Sequence, residues 1–149
     1  MLKVIGLGNI LRGDDGIGPL VLEKLGELAD PSLQLIDAGS DAFILLEPLI
    51  GTDPLLVVDC AQLNKQPGSI CMFNVSDARL RENIASVSLH NFGFAGILRL
   101  AREIGPVASC KIIGVQPKTI AFNEQLSDEV RASIPKIIEL INQEMKSYV

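Results

Sequence analysis

The chain has no tryptophan, one tyrosine and a single histidine, and aromatic residues make up 4% of its 149 positions. Basic residues are also scarce: 13 Lys and Arg stand against 18 Asp and Glu, a formal net charge of -5. With no basic cluster and no aromatics interleaved among the charges, the sequence offers no phosphate-binding face, and nucleic acid is not an expected partner. Cysteine occurs three times, at Cys60, Cys71 and Cys110. An odd number at wide, irregular spacing gives neither a disulfide framework nor a CxxC metal pair. The three lie in or beside apolar runs, so they are read as buried thiols with no assigned chemistry. No uninterrupted apolar run approaches the roughly 20 residues that span a bilayer, and no membrane partner is expected. Met1 to Leu7 has one lysine and runs straight into Gly8 and Asn9 without a leader pattern, so the expected location is cytoplasmic.

What is present is apolar residue, 48% of the chain, enough to build one core in a single domain over residues 1–149. Internal repeats and low-complexity segments are absent. Leu2 to Leu7 reads as a strand buried on both faces and stopping at Gly8. Gly18 and Pro19 open a helix in which Val21, Leu22, Leu25 and Leu28 recur at helical spacing, ending near Asp30 and Pro31. Leu33 to Ile36 reads as a second strand, Asp41 to Ile50 as a helix kinked or ended at Pro48, and Pro54 to Val58 as a third strand ending at Asp59. The next apolar run, Ser69 to Phe73, follows after too few residues for a helical crossover, so the fourth strand should run antiparallel to the third. The stretch from Asn74 to Leu89 must then carry the chain back across the sheet. His90 begins a helix containing Phe92, Phe94, Ile97, Leu98 and Leu100, and Cys110 to Val115 makes the fifth strand. Ser127 caps a last helix that buries Val130, Ile134, Ile138 and Ile141, with Pro135 a candidate start for its regular part. Short buried strands alternating with amphipathic helices describe a three-layer α/β/α domain.

In such a sheet, ligands bind beyond the carboxyl ends of the strands, often where strand order reverses. Asp15, Asp37 and Asp59 follow the first three strands, and His90 belongs at the same end if its helix runs down to feed the fifth. Two carboxylates and one imidazole suit a divalent metal such as Ni, Zn, Mn or Fe, and three protein ligands leave coordination positions open. At a helix N-terminus the dipole would disfavour imidazolium by ~0.3 to 1 kcal/mol and help keep the ring neutral for ligation. Each residue also has a plainer reading. His90 can be a solvated or capping residue, Asp14 and Asp15 can complement the positive end of the first helix, Asp59 can bond loop amides, and Asp37 can form a turn before Ala38 and Gly39. Gly6, Gly8 and Leu11 give GxGxxL after a strand, where a dinucleotide fingerprint needs a third glycine, and Asp14 and Asp15 put negative charge where a pyrophosphate would sit. A tight loop needing flexible glycines is the better reading.

The segments Gly8-Asn9-Ile10-Leu11-Arg12-Gly13-Asp14-Asp15-Gly16-Ile17-Gly18, Val57-Val58-Asp59-Cys60 and Ser88-Leu89-His90 together resemble the hydrogenase maturation protease family. Ile113-Gly114-Val115-Gln116-Pro117 and Leu126-Ser127 continue the resemblance in the family's order. It implies an α/β/α sandwich on a mixed five-stranded sheet of order 2-1-3-5-4 with strand 4 antiparallel. It further implies an endopeptidase of the aspartyl-type family that removes a C-terminal extension from the precursor of a nickel-iron hydrogenase large subunit after nickel is installed. Asp15, Asp59 and His90 match the family's catalytic metal ligands, while Asp14 belongs to the loop motif without being a ligand. The metal is nickel presented by the substrate, or another divalent ion in the same site. Two positions depart from the pattern: Ala38 replaces the first glycine of a common Asp-Gly-Gly, and Lys118 follows Pro117 where an acidic residue is common. Two other functions remain open at this point, a non-catalytic metal-dependent maturation chaperone and a small nucleotide-binding domain.

Overall fold

The computed structural model describes residues 1–75 and 92–148, apart from the side chains of Phe92, Gly93 and Ala95. His90, and the return across the sheet up to Leu89 beyond Val75, lie outside the described residues. The strands are β1 (Leu2–Leu7), β2 (Leu33–Gly39), β3 (Leu55–Cys60), β4 (Ile70–Asn74) and β5 (Cys110–Val115). The helices are α1 (Ile17–Leu28), α2 (Leu46–Leu49), α3 (Phe92–Ile104), α4 (Asp128–Arg131) and α5 (Ile134–Ser147), with 3-10 turns at Gly13–Gly16 and Ala42–Leu45.

The strands form one sheet of order β2-β1-β3-β5-β4, parallel throughout except for the antiparallel β4–β5 pair. This is the order that the family resemblance implies, with the antiparallel β4 that the connection length predicts. The antiparallel β4 follows from chain length: the link from Ala61 to Ser69 is too short to carry a parallel crossover. Side chains alternate across the sheet and split its core into two layers. Ile5, Leu7, Leu55, Val57 and Ile112 pack under α2 and α3 with Leu45, Leu49, Phe94 and Leu98. Leu2, Val4, Leu56, Val58 and Ile113 pack under α1 and α5 with Val21, Leu25, Ile137 and Ile141. The central strand β3 is buried at every position, as a strand covered on both faces must be.

Several boundaries differ from the sequence reading. The stretch read as a helix over Asp41 to Ile50 is a 3-10 turn capped by Asp41, whose Oδ1 accepts from Phe43 N at 3.0 Å, followed by the single turn α2. Pro48 fits that first turn because its missing N–H would have had no helical partner. The last helix is two: Ser127 caps the one-turn α4, and α5 starts afresh with Pro135 in its first turn. β3 runs on to Cys60, which pairs with Val115, so Asp59 lies inside the strand instead of following it. β4 begins one residue later than Ser69 and ends at Asn74. Cys71, expected to be buried, is half-buried because β4 is an edge strand; Cys60 and Cys110 are buried, and all three are free thiols. Among the described residues no helix is long and apolar enough to cross a membrane.

Candidate metal and catalytic site

The site is assembled where α1 starts against the carboxyl ends of β1 and β3. Gly18, in the first turn of α1, lies so close to the sheet that a Cβ there would collide with the Leu7 carbonyl oxygen and stand 2.7 Å from that of Val58. Gly8, just past β1, has φ +137, and a Cβ there would collide with the Asp15 carbonyl. Only glycine reconciles that backbone with that approach. These contacts press the Gly13–Gly16 turn onto the strand ends. Asp15 thus stands against the chain just beyond Gly6, whose β3 partner is Val58, the neighbour of Asp59.

Asp15 and Asp59 are 5% and 4% exposed, unusual for carboxylates, which are seldom so fully buried unless they are paired or hydrogen-bonded. Asp15 Oδ2 accepts from Asn9 N at 3.0 Å, and Asp59 Oδ1 accepts from Cys60 N at 2.7 Å. Both acids act on a common neighbour. The Cys60 thiol is pushed far above its ordinary range, first by burial and then by the negative charges of Asp59, Asp15 and Asp14. The structure therefore brings Asp15 and Asp59 to one end of the sheet. Among the described residues no group of three His, Cys, Asp or Glu side chains is placed to hold a metal, and His90, the third ligand named from the sequence, lies outside them. The donor chemistry that is described, two buried carboxylates in one negative region, fits a divalent cation.

The neighbouring acids behave differently. Asp14 is completely buried and turns away from Asp15: its oxygens accept from the backbone of Lys118, Thr119 and Ser127 and from the Ser127 hydroxyl. Asp37 is exposed, and its Oδ1 accepts from Gly39 N at 2.9 Å, the turn-forming role. It borders a cleft of about 700 Å³ that also touches Ile10, Gly13, Leu126 and Arg131. Lys118, one of the two departures from the motif, directs its ammonium to Glu129 at 3.1 Å.

Two residues of the site neighbourhood stand in the quoted motifs without an assigned role. Asn9 supplies the N–H that holds Asp15, while its own Oδ1 accepts from Leu11 N at 2.9 Å. An asparagine two residues past a strand is a turn signal that could have marked it. Gln116, 5% exposed, accepts at Oε1 from Leu63 N at 2.6 Å and donates from Nε2 to Gln62 at 2.8 Å, tying down the chain that follows Asp59. The motif that contains it does not say which partners it takes.

These observations define an α/β/α domain with a buried acidic pair, held at the carboxyl end of a mostly parallel sheet by a glycine-built loop. Comparison with known proteins makes this specific. The family model described as hydrogenase maturation protease matches residues 19–144. A protein of Methanocaldococcus jannaschii that carries the same family name is 32% identical over 97% of this chain and 96% of its own length. Two solved structures superpose closely: the hydrogenase maturating endopeptidase HybD from E. coli, with a TM-score of 0.86 at 23% identity over 99% of this chain and 93% of that one, and the [NiFe] hydrogenase maturation protease HybD from Thermococcus kodakarensis, with a TM-score of 0.81 at 25% identity over 97% of this chain and 98% of that one. The chain belongs to the hydrogenase maturation protease family and is a peptidase.

Proposed function

We propose that this chain is a cytoplasmic endopeptidase that removes a C-terminal extension from the nickel-loaded precursor of a nickel-iron hydrogenase large subunit, with Asp15, Asp59 and His90 contacting the metal. The observation that carries this reading is the burial of Asp15 and Asp59 together at the carboxyl end of the sheet, in a chain of this family. The third ligand of the proposal, His90, lies outside the described residues, and the direction of the helix that follows it supports the reading. The short link from α3 leads into β5, whose first residue Cys110 pairs with Leu55 at the start of β3. A helix of 13 residues is about 20 Å long, matching a six-residue strand, so Phe92 stands at the opposite, carboxyl end. His90 precedes it by two positions.

The protein's own contribution is orientation. Asn9 N–H fixes one oxygen of Asp15 and Cys60 N–H one oxygen of Asp59, so both carboxylates are held before substrate arrives. Nickel arrives as part of the substrate, and contact with it reads whether loading is complete. When bound, such a cation can polarise a carbonyl or lower the pKa of a water. The three free cysteines accord with a reducing compartment.

The test is incubation with nickel-loaded and with nickel-free precursor, with the products weighed by mass spectrometry. Release of a C-terminal peptide from the loaded form alone is the expected result. A stable complex without cleavage would replace the reading with that of a maturation chaperone.

A further inference from the structure

Asp14 is the most completely buried acid among the described residues, and nothing in the proposed chemistry uses it. Its Oδ1 accepts from Ser127 N at 2.7 Å, and its Oδ2 from Lys118 N at 2.8 Å, Thr119 N at 3.1 Å and Ser127 Oγ at 2.9 Å. All four donors are neutral groups more than 100 residues further along the chain. The backbone doubles the junction: Asp14 N donates to Thr119 O at 2.9 Å, Gly13 N to Glu124 O at 3.0 Å, and Asn123 N to Leu11 O at 2.7 Å. A buried carboxylate is costly to leave unmatched, so this set of acceptors fixes residues 118–127 against the Gly13–Gly16 turn.

Asp15 is the next residue of the same 3-10 turn. Three residues per turn place successive side chains about 120° apart, so Asp14 and Asp15 diverge from one rigid piece of backbone. Rotation of that turn displaces both at once.

We propose that Asp14 is a positioning residue: by locking residues 118–127 to the turn, it sets the orientation of the Asp15 carboxylate, which is held on its other side by Asn9 N–H. The geometry stands without the peptidase reading, and only the kinetic arm of the test rests on it. Asp14→Asn keeps the shape but turns one acceptor oxygen into a donor that faces N–H groups.

Amide hydrogen exchange on the full chain reads the consequence directly. In Asp14→Asn, exchange should rise at least tenfold at Lys118, Thr119 and Ser127 and also at Asn9, whose N–H reports Asp15, while Val57 and Ile113 in the β3–β5 ladder stay within twofold of wild type. Faster exchange confined to residues 118–127, or spread equally through the ladder, would overturn the proposal. Should Asp14→Asn fail to fold, Ser127→Ala decides, since it keeps the carboxylate and every backbone donor. It should speed exchange at Asn9 at least threefold, and an unchanged Asn9 would overturn the inference. On nickel-loaded precursor, folded Asp14→Asn should lose at least tenfold in kcat with KM within twofold; kcat within twofold of wild type would also overturn it. If the wild type cleaves no precursor, the substrate reading fails, and the exchange result still decides this one.

Discussion

Gly18 stands against Val58 so closely that a methyl group on Gly18 would lie 2.7 Å from the Val58 carbonyl oxygen. This contact sets how near α1, and with it the turn carrying Asp15, comes to β3 and Asp59. Gly18→Ala should therefore force the helix start off the sheet at the overpacking cost of about 1–3 kcal/mol, lowering the melting temperature by several degrees. Because the displaced turn carries Asp15, peptidase activity should fall at temperatures where the variant is still folded. Thermal melts alongside cleavage rates check this; an unchanged melt would mean that the approach is looser than described.

Gln116 makes a second structural prediction. Its buried amide binds Leu63 N, Gln62 Oε1 and the Pro117 carbonyl, and its backbone N–H donates to Ser69 O. Gln116→Leu removes the side-chain partners while filling the space, leaving Leu63 N–H to be satisfied otherwise. A loss of about 1–3 kcal/mol in denaturant titration is expected, with faster amide exchange at Leu63. No loss would show that water replaces the amide without cost.

The buried Cys110 thiol gives a pH dependence. Burial pushes its pKa from 9.0 up to about 12, so the unfolded chain gives up the thiol proton at lower pH than the folded one. The stability it contributes is intact below pH 9.0 and is lost as pH rises through the window from 9.0 to about 12. At pH 10 the loss is on the order of 1 kcal/mol, from the unfolded thiol ionising alone. Cys110→Ala should be less stable at pH 7 but show a shallower decline between pH 8 and 10. In alkylation at pH 8, half-buried Cys71 should react well before Cys110. Equal slopes for the two proteins would refute the assignment.

How much of this was legible depended on how local each cause is. The limits of β5 at Cys110 and Val115 were readable because a short stretch rich in apolar residues, with Ile112, Ile113 and Val115, ahead of Gln116 and Pro117 is a local pattern, and antiparallel β4 was readable because chain length forbids the alternative. The end of β3 was misplaced at Val58 since the pairing of Asp59 with Gly114 and of Cys60 with Val115 depends on a distant strand. Half-exposed Cys71 was misread for the same reason: nothing within Ile70 to Asn74 says that the strand lies at an edge. That Asp15 and Asp59 come to the same end of the sheet was legible because Asp15 follows β1 and Asp59 lies near the carboxyl end of β3. The role of Asp14 was not, because its partners lie at Lys118, Thr119 and Ser127, and a sequence does not say which of two adjacent aspartates turns inward.

The central claim, a metal-contacting site made of Asp15, Asp59 and His90, turns on the one imidazole in the chain. No second histidine can take its place as a nitrogen ligand. The decisive measurement is release of the C-terminal peptide from nickel-loaded precursor by His90→Ala, over a range of enzyme concentrations and with a metal-free melt of each protein alongside. The account predicts a variant whose fold is largely intact by its melt and that releases no peptide. Release at the wild-type rate by the folded variant would contradict it.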